Sequence, residues 1–312
     1  MLSTPVAFFI FNRPEPTRKV FAEIARAKPR RLLVVADGPR GREEAERCAE
    51  TREVVAQINW ECEVLTNFAE TNMGCKRRVS SGLTWVFEQC EEAIILEDDC
   101  VPHPTFFPFC EELLERYADD ERVPMICGSS FHGGGGPSIS ESYRFSRLGH
   151  IWGWASWRRA WQHYDVALGS WPTLRETSWL LDILGDAGAA AYWRDVFDKT
   201  HAGEIDTWDY QWFFSWWAQN GLAIIPAVNL ISNIGFGDDA THTRTAASTM
   251  AHRAVAEMSF PLRHPEVMAR NRETDLFAFT QICPWARPRP SIRGWLRRHL
   301  PVNLQGLARK AT

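Results

Sequence analysis

The chain has 312 residues, is 45% hydrophobic and 24% charged, and carries a formal net charge of -4. That length suits one large domain or two small ones, and the slight acidic excess argues against a nucleic-acid partner, which usually shows as a basic surplus. No apolar run approaches the ~20 residues of a bilayer crossing, and the early run "VAFFIF" lacks the charged flank and cleavage pattern of a secretory signal.

From the first residues, apolar strand-like runs alternate with charge-rich amphipathic stretches. "VAFFIFN" is followed by "PEPTRKVFAEIARA", "RLLVVADG" by "GREEAERCAETREVVAQI", and "CEVLTN" by "MGCKRRVSSGLTWVFEQC". "AIILEDD", "PTFFPFCEELLERY" and "VPMICGSS" continue the pattern. Continuous apolar strands bounded by helices predict a mostly parallel sheet covered on both faces, so residues 1–130 are expected to form a doubly wound α/β unit. Ligands bind such sheets beyond the carboxyl ends of the strands. Those ends carry Asn12-Arg13, Asp37-Gly38 and Glu97-Asp98-Asp99, and polar groups are expected to converge there.

"FHGGGGP" reads as a mobile loop, because four consecutive glycines cost too much backbone entropy for a regular element. Its spacing fits neither a dinucleotide fingerprint nor a P-loop. Beyond it, 178–200 is expected to be helical, "DTWDYQWFFSWWAQNG" likewise, and "LAIIPAVNLISNIGF" to form a strand. Residues 131–245 make up a tryptophan-rich half, since most of the 15 tryptophans fall between Trp152 and Trp217. Residues 246–312 turn polar and end strongly basic. The eight cysteines are scattered without a C-x-x-C pair, as expected of buried thiols in a reducing compartment.

Three adjacent carboxylates at a strand end demand positive charge. Oxygen donors suit a hard divalent cation, and Mg²⁺ or Mn²⁺ takes one or two protein carboxylates and fills its shell with water and phosphate oxygens. A diphosphate ligand is the natural partner. The plainer alternative is an acidic loop at the amino end of the next helix.

The strand followed by "EDD" resembles the metal motif of nucleotide-sugar glycosyltransferases of the A-type fold (GT-A). "ILEDDCVPHPTFFPFCEELL" is similar to the same region of the N-acetylglucosaminyltransferase I group. "NMGCKRRVSSGLTWVFE", "HIWGWASWRRAW", "WDYQW" and "VNLISNIGFGDDATHT" extend the resemblance, to a bacterial group of such transferases, as far as about residue 245. It implies a GT-A type α/β fold, with a Rossmann-like nucleotide half over 1–130 and an acceptor-binding, catalytic half over 131–245. It further implies transfer of a hexosyl or N-acetylhexosaminyl unit from a nucleotide-diphospho-sugar, UDP-linked by preference, to a glycan or lipid-linked acceptor, as in polysaccharide biosynthesis.

By position, the resemblance implies that Asp99 ligates Mn²⁺ or Mg²⁺, that Asp98 and Glu97 hold the ribose or donor sugar, that Arg13 reaches the nucleotide and that Asp37 bonds the uracil. An arginine fork on phosphate and a carboxylate on an imide N–H are sound chemistry, although Arg13 before a proline also fits a solvated loop and Asp37-Gly38 a tight turn. Lys76, Arg77 and Arg78 open a helix where a diphosphate could sit, or simply face water.

Inverting transfer needs a base for the acceptor hydroxyl. The resemblance implies Asp209, beside Trp208. The named group has two adjacent aspartates after its tryptophan where this chain has Asp209-Tyr210, so Asp206 is a rival, and Asp209 could also serve as a helix cap. Trp152, Trp154 and Trp208 are candidates for a saccharide platform, Trp154 and Trp208 foremost, against the commoner role of tryptophan as core. A late histidine, His242, is implied as a metal or phosphate contact on the loop that carries Asn233 and Gly235, against a lone surface histidine.

The basic last ~25 residues read either as a segment lying on an anionic membrane surface or as a solvated tail. A cytoplasmic protein, peripheral at the inner face of the plasma membrane, is the corresponding expectation. Two competing functions remain. A sugar-nucleotide pyrophosphorylase is disfavoured because "FIFNRPEP" has no glycine-rich phosphate loop. A carbohydrate- or nucleotide-binding protein, or a transferase without turnover, fits the same residues.

Overall fold

The structure is a computed structural model that describes residues 1–131, 140–236 and 253–282. In chain order its elements begin with β1 (Val6–Ile10), α1 (Pro14–Ala27), β2 (Arg31–Ala36), α2 (Arg42–Val55), β3 (Glu63–Phe68), α3 (Cys75–Gln89) and β4 (Glu92–Glu97). Next come β5 (Cys100–Pro102), α4 (Phe106–Arg116), β6 (Met125–Cys127), β7 (Tyr143–Ser146), β8 (Trp154–Trp157), α5 (Arg158–Trp161), α6 (Trp171–Arg175) and α7 (Trp179–Leu184). Then follow α8 (Ala187–His201), α9 (Asp209–Ala218), β9 (Ala223–Pro226), β10 (Ile231–Asn233) and α10 (Arg272–Ile282).

Eight strands form one mixed, mostly parallel sheet in the order β3-β2-β1-β4-β8-β6-β9-β7. Strands β3, β2, β1 and β4 run parallel, and β8 enters antiparallel between β4 and β6. The chain builds β1, β2 and β3 outward in one direction and then returns to place β4 on the other side of β1. The crevice between β1 and β4 is therefore a topological switch point, where open α/β sheets bind ligands. Register sets its rim, because Ile10 lies beside Ala36 and Phe9 beside Glu97. Residues 11–13, 37–38 and 97–99 thus leave the sheet at one level.

Alternation along the strands divides the core into two faces. Phe8, Ile10, Val34 and Leu96 pack with Val20 and Ile24 of α1 and with Phe109 and Leu113 of α4. Ala7, Phe9, Val35 and Ile95 face α3 and the tryptophans Trp154, Trp161, Trp171, Trp193, Trp208, Trp212, Trp216 and Trp217. Most of the tryptophans thus form one face of the core, and truncating a buried tryptophan to alanine typically costs ~3–5 kcal/mol.

Two elements differ from the sequence expectation. The helix anticipated over 178–200 is two, because Gly185 takes a left-handed φ of 68° after α7 and Asp186 starts α8 by accepting the Ala189 N–H at 2.9 Å. The strand anticipated over 222–236 is also two. β9 belongs to the large sheet, whereas β10 pairs antiparallel with β5, Asn233 beside Cys100.

Residues 253–282 pack back on the body. Arg263 N–H donates to Ser142 Oγ at 2.9 Å, and Asp275 accepts from Ser146 Oγ at 2.6 Å and from Arg270 Nε at 2.5 Å. Among the described residues no helix is long and apolar enough to cross a membrane, and the seven described cysteines are free thiols. The glycine run at 133–136, His242, Cys283 and the basic last ~25 residues lie outside the described residues.

Candidate functional site

A cavity of about 830 Å³ opens over the β1–β4 switch point. Its walls include Arg13, Asp37, Glu97, Asp98, Asp99, Asp206, Trp208, Asp209 and Gly235. With Arg78 and Trp152, which also line it, eleven of the residues singled out from sequence are therefore brought together, from seven separate stretches of chain.

The carboxylate end is built by β4 and the β5–β10 pair. Arg13 follows β1 and pairs with Asp98, and its Nη2 also lies 2.9 Å from Asp99 Oδ2. One guanidinium thus pairs with two of the three carboxylates and acts on Glu97 through its charge. Burial alone would lower the Arg13 pKa, but Asp98 and Asp99 hold it well above its usual range. Burial pushes Asp98 up to about 6, against the pull of Arg13. Glu97 is pushed up to about 8 by burial and then by Asp99 and Asp98, with Arg13 opposing. The site therefore holds more negative charge than its own cation offsets.

β10 brings the next stretch of chain onto Asp99. Ile234 N–H donates to the Asp99 carbonyl at 2.8 Å, and Asn233 Oδ1 accepts the Gly235 N–H at 2.8 Å. A Cβ on Gly235 would lie 2.0 Å from Asp99 Oδ2, so only glycine leaves the carboxylate its position. Asn233 itself is buried behind this contact, its Nδ2 3.5 Å from Asp99 Oδ1.

At the other end Asp37 is an organiser. Its carboxylate accepts the Gly38 N–H at 2.8 Å, the Met73 N–H at 2.9 Å and Asn72 Nδ2 at 3.0 Å, tying the end of β2 to the loop before α3. Gly38 permits this approach, since a Cβ there would meet the Thr71 backbone at 2.5 Å.

Of the three basic residues that open α3, Arg78 lines the cavity, while Lys76 and Arg77 are not among its lining residues and Arg77 is exposed. Arg78 donates to the Ala36 carbonyl at 3.1 Å and to Asn67 Oδ1 at 2.9 Å. Burial lowers its pKa, with Asp37 partly compensating. Helical spacing pointed inward here, for Arg78, Gly82 and Val86 form the buried stripe of α3. Cys75, also in the wall, is pushed up to about 12 by burial and then by Glu97, Asp209, Asp206 and Asp37. Its thiol is neutral at physiological pH and is not a nucleophile.

Asp209 opens α9. Its Oδ1 accepts from Thr207 Oγ1 and from the Tyr210 N–H at 3.0 Å, and it faces the cavity; the cap position is Trp208, which makes no side-chain cap bond, so Asp209 is the first helical residue and not the cap. Asp206 is exposed at the mouth. Trp208 lines the cavity and stacks on Trp154 with ring centroids 5.9 Å apart and planes 22° apart. Trp154 has no exposed surface and backs Trp208 from within the core, whereas Trp152 reaches the wall, edge-on to Phe131 and Phe236.

Sequence reasoning passed over Arg40, Asn72, His150, Tyr192, Trp193, Tyr210, Phe213 and Phe279 in the lining. Most reach it only through tertiary packing. Among the described residues no three His, Cys, Asp or Glu side chains are grouped to enclose a metal by themselves. No protein-family model matches the chain, and no curated protein matches it.

Proposed function

We propose that the chain is a metal-dependent glycosyltransferase of the GT-A type. In this reading it moves a hexosyl or N-acetylhexosaminyl unit from a nucleotide-diphospho-sugar, UDP-linked by preference, to a glycan or lipid-linked acceptor by single inverting displacement. The observation that carries the reading is three consecutive carboxylates, Glu97, Asp98 and Asp99, at the sheet's switch point, two of which, Asp98 and Asp99, pair with one guanidinium.

Mn²⁺ or Mg²⁺ fits the donor set. The oxygens are hard, the charge left by Arg13 is negative, and a cation that takes one or two carboxylates and completes its shell with diphosphate does not need an enclosing protein cage. When bound, the cation supplies positive charge against the leaving diphosphate. Asp99, with its space kept by Gly235, would hold it, aided by Glu97. Asp98 keeps Arg13 at the rim, where the guanidinium can turn to a phosphate oxygen. Asp37, Asn72 and Arg78 shape the end where the base and ribose would lie. Asp209, its carboxylate oriented by Thr207 and the Tyr210 N–H, would accept the proton of the attacking acceptor hydroxyl.

Calorimetric titration of UDP with and without MnCl₂, on the native chain and on Asp99→Asn, tests this. Binding should need Mn²⁺ and should weaken at least about tenfold in the variant. Metal-dependent binding that is unchanged in Asp99→Asn would remove that residue from the mechanism.

A further inference from the structure

The cavity continues past the carboxylates to a wall of rings. Tyr192 and Trp193 of α8, Tyr210 and Phe213 of α9, and Phe279 of α10 all line it. They form one connected cluster: Trp193 lies 5.7 Å from Tyr210, 5.4 Å from Phe213 and 5.7 Å from Tyr192, which lies 5.6 Å from Phe279, all between ring centroids. The wall adjoins the candidate base directly, because Asp209 precedes Tyr210 in the first turn of α9. Asp209 also acts electrostatically on Glu97 and Cys75, which ties it to the carboxylate end. At about 830 Å³, the cavity is near the top of the ~300–1,000 Å³ typical of ligand sites.

We infer that this wall is the acceptor subsite and that its ligand is an oligosaccharide laid with a pyranose face on the rings and a free hydroxyl at Asp209. The inference deepens the transferase reading and rests on it for the role of Asp209. Tyr192 and Tyr210 are the half-buried rings of the wall, backed by the buried Trp193, Phe213 and Phe279, and a tyrosine offers an apolar face with a polar edge, which suits a ligand that is itself apolar on its faces and hydroxylated at its rim. The neighbouring Asp206, Thr207 and Asp209 argue the same way. A hydrocarbon chain laid there would strip water from two carboxylates and return no hydrogen bond, whereas sugar hydroxyls replace that water. Phe279 takes part because the Asp275 contacts with Ser146 and Arg270 fasten the first turn of α10.

The test is an oligosaccharide array probed with the labelled full chain, beside phosphatidylcholine vesicles carrying farnesyl phosphate. The native chain should retain a defined set of oligosaccharides and ignore the vesicles. Tyr192→Ala should weaken that retention by roughly tenfold. Trp193→Phe, which keeps a ring in the core, should also weaken it while the far-ultraviolet circular dichroism stays native. Retention of no oligosaccharide, binding to the vesicles alone, or oligosaccharide binding that survives both substitutions would each overturn the proposal. Mn²⁺–UDP binding is measured separately on the same protein, so a failed donor site beside a working array would sink the transferase reading and leave a carbohydrate-binding wall.

Discussion

Asp99 and Gly235 form the tightest pair in the site. An added Cβ at Gly235 cannot coexist with the present position of Asp99, lying 2.0 Å from its Oδ2, 2.7 Å from Cγ and 3.0 Å from Cβ, but the clash falls on a side chain that can turn away and not on backbone. Gly235→Ala should therefore leave the thermal midpoint within a few degrees and weaken Mn²⁺ binding about tenfold, read from the free-Mn²⁺ electron paramagnetic resonance signal. Glu97 gives a second handle. Its folded-state pKa of about 8 lies above the ordinary 4.5, so the native state keeps that proton to higher pH than the unfolded chain does. The stability this contributes is complete below the ordinary value and is lost as pH rises toward about 8. Without divalent cation, the midpoint should fall between about pH 5 and pH 8, and Glu97→Gln should flatten that slope. Saturating MnCl₂ should flatten it as well, because a dication at this site favours the ionised carboxylate.

Among the elements, the β2 end and the loop before α3 work as one unit, joined by the three hydrogen bonds on Asp37. Gly38→Ala meets backbone instead of a movable side-chain tip, so the loop carrying Asn72 and Met73 must shift. Overpacking of this kind typically costs ~1–3 kcal/mol. Differential scanning calorimetry should show that loss, and UDP affinity should fall while Mn²⁺ affinity holds, separating the two ends of the cavity. Element positions were largely legible in the residues: β1, β2 and β4 are short apolar runs buried on both faces, and α1 follows the proline that opens its helical period. Where the reading missed, the cause is specific. A left-handed Gly185 divides a continuous helical pattern, and β10 leaves the large sheet for β5 because pairing partners depend on tertiary contacts that periodicity does not carry.

For the whole molecule, one rim collects what seven stretches of chain deliver, and sheet register sets the β1, β2 and β4 ends level. The carboxylates were legible from sequence because they sit at a strand end, where geometry and charge point to the same place. The aromatic wall was not, since Tyr192, Trp193 and Phe279 come from helices whose orientation only packing decides. Trp154 shows the reverse error: a tryptophan flanked by glycine and small residues looked available, yet it is wholly enclosed behind Trp208. The central claim is that the 97–99 carboxylates hold a divalent cation against a diphosphate. The most direct measurement is an anomalous-scattering crystal structure of the chain grown with MnCl₂ and UDP. The account predicts a manganese peak about 2.1 Å from an Asp99 oxygen and from diphosphate oxygens, with the Arg13–Asp99 contact opened. Manganese and nucleotide bound elsewhere, with Arg13 still seated on Asp98 and Asp99, would contradict it.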